Sequence, residues 1–144
     1  MDEYDTLENV QTLFNSMTPG EEWEGFFLGY DDLTSNAGFI GGQLNPYTAL
    51  LFAIGKNGVA FFNLSKKSLL SFNRKNLYIE KDKYTYVPNN AIDKAKAKKY
   101  PIGSNVKLKM RLLSNQTINL IVSKEKDLPY QEAGRAALLN RFGK

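Results

Sequence analysis

The chain has 144 residues, 42% of them apolar and 24% charged, so it is long enough to bury a core without a metal or a disulfide. It contains no Cys and no His, which excludes disulfide frameworks, thiolate zinc sites and every nucleophile activated by a neighbouring imidazole. The net charge of +4 is split: residues 1–55 hold nine acidic residues and no Lys or Arg, and residues 56–144 hold six acids and all 19 basic residues, −9 against +13.

Such a split predicts either an acidic N-terminal part packed near a basic body or a polyanionic partner. No apolar run approaches the roughly 18 residues of a membrane span. The acidic start from Met1 to Thr6 lacks the basic residues of a signal peptide, so a cytoplasmic protein is expected.

Along the chain, Leu7, Val10, Leu13, Phe14 and Met17 recur at helical spacing and predict an amphipathic helix over 3–17. Asp2, Glu3 and Asp5 suit its positive end, and Thr18-Pro19-Gly20 stops it. Trp23 to Tyr30 reads as an aromatic strand with Trp23 and Phe27 on one face and Phe26 and Tyr30 on the other. Aromatics on both faces predict burial on both sides. Residues 31–47 read as a Gly- and Asn-rich loop.

From Thr48 onward the pattern is β. Ala49–Ile54 and Val59–Leu64 flank Lys56-Asn57-Gly58, a hairpin signal in which both Asn and Gly accept positive φ. Leu77–Glu80 and Tyr84–Val87 are two further strands separated by Lys81-Asp82-Lys83. Val106, Leu108, Met110 and Leu112 alternate with Lys107, Lys109 and Arg111, the period of a sheet with one wet face. Ser114-Asn115 turns the chain into Ile118, Leu120 and Val122. A closing helix is expected over 128–142, with Asp127 as its cap, Pro129 in its first turn and Leu128, Ala136, Leu139 and Phe142 as its apolar face.

The fold class is therefore mainly β: an antiparallel barrel or sandwich with a capping C-terminal helix and an added N-terminal helix. Residues 1–20 form the added helix and 21–144 the β body, one domain overall. From Thr48 to Phe142 the order of elements resembles a bacterial pleckstrin-homology-like domain of the PH/GRAM superfold. The buried hairpin, the step Tyr86-Val87-Pro88-x-x-Ala91-Ile92, the basic strand, the second hairpin and the closing helix carry the resemblance. It implies a binding module without catalysis. In the eukaryotic family the first hairpin loop carries the basic phosphoinositide site. Here that loop holds one Lys, Lys56.

Glu21, Glu22, Glu24, Asp31 and Asp32 read as solvated or capping carboxylates, since neighbours on a strand point apart. Gly38-x-x-Gly41-Gly42 lacks the Gly-Lys-Ser/Thr of a phosphate loop. No cofactor, metal site or small-molecule substrate is inferred. If the run Lys94–Lys99 pairs with Val106–Arg111, then Lys94, Lys96 and Lys98 share a face with Lys107, Lys109 and Arg111, and Lys99 extends the basic set. Like charges facing each other across a sheet oppose folding and call for an anionic counterpart. The expected partner is a protein or a second copy of the chain. The stripe Leu7, Val10, Leu13, Phe14 and Met17 is its candidate interface, on a helix expected to lie apart from the β body or only loosely on it. An anionic membrane is the alternative. Nucleic acid ranks below both, because the lysines are not interleaved with stacking aromatics.

Overall fold

The computed structural model describes residues 4–31, 49–66, 77–100 and 103–143. Helix α1 spans Leu7–Met17, and seven strands follow: β1 Trp23–Asp31, β2 Ala49–Gly55, β3 Gly58–Lys66, β4 Leu77–Pro88, β5 Ile92–Lys99, β6 Val106–Leu112 and β7 Thr117–Val122. Helix α2, Gln131–Phe142, closes the chain. All seven strands form one antiparallel sheet in the order β4-β3-β2-β1-β7-β6-β5. Two consecutive meanders, β1–β4 and β5–β7, are thus joined where β7 returns to β1. Among the described residues that seam holds the pairs Tyr30 with Ile121 and Asp31 with Leu120.

The sheet bends back on itself. A single 3₁₀ turn, Asn89–Ala91, carries the chain from edge strand β4 to the opposite edge strand β5. Phe52, Ile54 and Val59 of the first meander pack in one cluster with Ala97, Val106 and Leu108 of the second, with Leu138 of α2 among them. This cluster is the concave core. The expected closure into a barrel is not made: β4 and β5 remain the two edges of an open sheet.

Helix α1 covers the convex face of the first meander. Val10 and Phe14 are fully buried there with Phe26, Leu51 and Phe62. The Phe14 ring centre lies 5.1 Å from that of Phe62 and 5.3 Å from that of Trp23. The helix is therefore seated on the β body and not loosely attached. Strand β2 is buried along its whole length because α1 covers one side and the concave core the other. That is why Ala49–Ile54 reads as an unbroken apolar run.

Five local expectations need correction. Helix α1 begins at Leu7, later than expected, because the Thr6 side chain accepts a bond from the Asn9 N–H at 3.1 Å and caps it. Trp23 packs on the side of Phe26 and not of Phe27, since a bulge between Trp23 and Gly25 shifts the alternation. Leu77–Glu80 and Tyr84–Val87 are one strand. Both parts pair with β3, and Lys81–Lys83 loop out between the pairs Asn63–Glu80 and Phe62–Tyr84. The turn at Asn57-Gly58 uses no positive φ, a conformation that the described residues show only at Gly20, Gly103 and Asn115. Gly58 is required for space instead, since a Cβ there would stand 2.5 Å from the Val87 carbonyl oxygen.

The fifth correction concerns α2. It starts at Gln131, so Asp127 and Pro129 precede it, and Tyr130 occupies the cap position without a side-chain bond. Its buried stripe is Gln131, Gly134, Arg135 and Leu138. Ala136 is exposed, and Leu139 and Phe142 are half-buried. A Cβ on Gly134 would overlap the Phe26 carbonyl, and one on Gly25 would come 2.7 Å from the Ala137 Cβ. The helix backbone thus rests directly on β1. Where β1 diverges from β7, Gln131 takes over the pairing. Its Oε1 accepts from the Leu28 N–H at 2.8 Å, and its Nε2 donates to the Leu28 and Ser123 carbonyls at 3.0 and 2.8 Å.

Glu21 holds the β2–β3 turn. It accepts from the Tyr86 hydroxyl at 2.7 Å, from the Asn57 N–H at 3.2 Å, from the Asn57 amide nitrogen at 3.1 Å and from the Glu22 N–H at 2.9 Å. Burial acts to raise the Glu21 pKa, but these hydrogen bonds override it and hold the carboxyl below its ordinary value. Tyr86 is pushed up to about 12, first by burial and then by its bond to Glu21 and the charge on it. A depressed carboxyl stabilises the fold above its unfolded pKa, and this is lost as pH falls through the folded value. A raised phenol stabilises below its unfolded pKa, near 10, and this is lost as pH rises toward 12. The urea midpoint is therefore expected to fall in acid and again above pH 10. Glu21→Gln should flatten the acid limb and Tyr86→Phe the alkaline one. Unchanged limbs in both variants would contradict this assignment.

Candidate functional site

The second meander leaves its convex face uncovered among the described residues. Strand β6 alternates as expected: Val106, Leu108, Met110 and Leu112 are buried, whereas Lys109 and Arg111 are exposed and Lys107 half-buried. The pairing of β5 with β6 sets Lys94 opposite Arg111, Lys96 opposite Lys109 and Lys98 opposite Lys107. Residues paired in this way share a face, with Cβ atoms about 4.5–5.5 Å apart. The rungs continue onto β7 as Thr117, Asn119 and Ile121. Six cations therefore form a two-column ladder on one surface. Lys99 does not belong to it: its partner is Val106, whose row faces the concave core, and it is exposed only as the last residue of the strand.

Asp93 serves this surface as a carboxylate partner. Asp93 Oδ2 accepts from Arg111 Nε at 2.8 Å and lies 2.6 Å from Arg111 Nη2. A register shift between Ile92 and Lys94 sets Asp93 out of the ladder's alternation. Among the described residues no carboxylate lies within ion-pair distance of Lys94, Lys96, Lys98 or Lys109. A groove of about 540 Å³ runs over the two rungs Lys94–Arg111–Thr117 and Lys96–Lys109–Asn119.

The carboxylates described in α1 and before β1 do not lie over these lysines. Helix α1 sits on the first meander, and Glu8 shares a groove there with Lys81. Glu22 pairs with Lys56 at 3.7 Å and Glu24 with Arg141 at 2.5 Å. These carboxylates do carry capping and surface roles, as Glu21 does at the turn. Of the stripe expected as a protein interface, Val10 and Phe14 are internal, Leu13 is half-buried, and only Leu7 and Met17 are exposed. The stripe is thus mostly consumed by the chain's own core. The side chain of Asp31, Asp32 and the Gly38–Gly42 motif lie outside the described residues.

Sequence reasoning missed Asp93 as the partner of Arg111, and it missed Arg135. The buried Arg135 bonds Glu132 at 3.0 Å and the Ser104 carbonyl, and so ties α2 to the β5–β6 turn. Among the described residues no three acidic side chains gather as a metal site, and no helix is long and apolar enough to cross a membrane. No family model, curated protein or solved structure matches the chain.

Proposed function

We propose that the protein is a non-catalytic binding module, pleckstrin-homology-like in kind, that docks an acidic protein partner on the convex face of β5–β7. The observation that carries this reading is the cross-strand register Lys94–Arg111, Lys96–Lys109 and Lys98–Lys107, in which Arg111 is paired with Asp93 and, among the described residues, Lys94, Lys96, Lys98 and Lys109 have no carboxylate within ion-pair distance. Stacked like charges oppose folding, and an anionic surface laid over them removes that repulsion. The strand order and the closing helix support the pleckstrin-homology-like reading. A protein is favoured over a membrane or nucleic acid because, beside Lys94, Lys96, Lys109, Arg111, Thr117 and Asn119, the groove is lined only by the small Ala95 and the buried Met110. They offer no apolar wedge for a bilayer and no ring for a base.

Labelled poly-glutamate tests this by fluorescence anisotropy. Binding should weaken with salt, and the double variant Lys96→Glu, Lys109→Glu should lose about tenfold or more in affinity. Equal binding by variant and wild type would remove the ladder as the site. Tighter binding to phosphatidylserine vesicles or to an oligonucleotide would move it to lipid or nucleic acid.

A further inference from the structure

Building on that reading, we propose that the acidic partner enters as an extended segment that adds a strand to the outer edge of β5. Among the described residues strand β5 ends the sheet order and pairs with β6 alone. Among the described residues the Ile92 N–H, bonded to the Asn89 carbonyl, is the one backbone group on the outer side of β5 with a hydrogen bond, which leaves that side open from Asp93 onward. Such an edge is a row of N–H and C=O groups that an extended chain can complete.

The alternation of β5 sets what that chain must carry. Lys94, Lys96 and Lys98 occupy one face, and Ala95 and Ala97 the other. Side chains two apart on an added strand stand opposite those two apart on β5. Acidic residues at every second position would meet the lysines. Apolar residues between them would extend the alanine side, where Ala97 is already part of the concave core.

A groove of about 350 Å³ lies along this edge, lined by Ile92, Lys94 and Ala95 of β5 and by Lys56, Arg141 and Phe142, and by no residue of β6. Its lining thus combines the cations Lys56, Lys94 and Arg141 with the apolar Ile92, Ala95 and Phe142. Asp93 is the one carboxylate on its wall, and Arg111 already holds it.

The same lysines select against a second copy of the chain, because β5 laid against β5 sets Lys against Lys. The other edge, β4, is interrupted by the looped-out Lys81–Lys83 and ends in Pro88, so it gives an added strand no continuous ladder.

Four capped, labelled peptides test the proposal by anisotropy and by amide exchange of the full chain. One alternates Glu and Val over eight residues. A second has the same composition in two blocks. Two more are the alternating peptide N-methylated at the odd or at the even positions. The alternating peptide should bind, slow the exchange of β5 amides, and bind about tenfold or more tightly than the block peptide. One N-methylated isomer should fail and the other should bind. Equal binding by all four, or by none while poly-glutamate still binds, would overturn strand addition and leave the basic-face reading standing. Peptide binding unchanged by Lys96→Glu, Lys109→Glu would overturn that reading too. Circular dichroism on the double variant confirms that it is folded.

Discussion

Gly134→Ala is expected to destabilise the protein by about 3–5 kcal/mol in urea unfolding, against the ordinary preference of a helix for alanine. Propensity alone would favour the substitution by about 1 kcal/mol. The added methyl, however, would sit inside the Phe26 carbonyl, a backbone group of β1 that cannot rotate away. The helix would have to lift. Doing so would separate Gln131 from both backbone groups of Leu28 and withdraw Leu138 from the concave core. The loss should therefore exceed that of an overpacked apolar contact. A variant as stable as the wild type would show that α2 does not rest on β1.

The second large effect belongs to the ladder strand. Leu108 is fully buried between Ala97 and Leu120 in adjacent strands, within a cluster that contains no acidic side chain. Leu108→Lys would bury an ammonium without a partner, and no cooperative urea transition is expected. One residue away, Lys109→Glu should change stability by less than about 0.5 kcal/mol, because that side chain is exposed and opposes another Lys. The pair separates fold from site: the first variant loses the structure, the second keeps it and loses the anionic partner. The reverse ranking would mean that β6 presents its other face to the core.

The β6 register was legible because one face is wet and the other dry, which leaves a clean period of two in the sequence. The ladder followed from the same alternation in β5. The presence of helix α2 was legible, but its buried face was not. Its buried stripe, Gln131, Gly134, Arg135 and Leu138, carries two polar residues and a glycine. Hydropathy marks such positions as surface, whereas here Gln131 substitutes for a missing strand neighbour and Gly134 permits backbone contact. The seating of α1 was half legible. Its stripe was apparent, but whether the stripe met this chain or another depends on the second buried face of β2, a long-range property. Lys81–Lys83 read as a break because a looped-out insertion has the composition of a turn.

The seam between β1 and β7 also governs how the chain can assemble. Within each meander every ladder joins consecutive strands, so those pairings close between sequence neighbours. The seam instead joins Tyr30 to Ile121 and Asp31 to Leu120 across most of the chain. Loop-closure entropy places such a contact late in folding. The Gln131 bonds to Leu28 span a similar separation and belong to the same step. The two meanders are thus expected to form first and to be joined by this late-forming seam and by the core cluster that they share. In amide exchange, the Leu28–Asp31 stretch is where sub-global opening would begin.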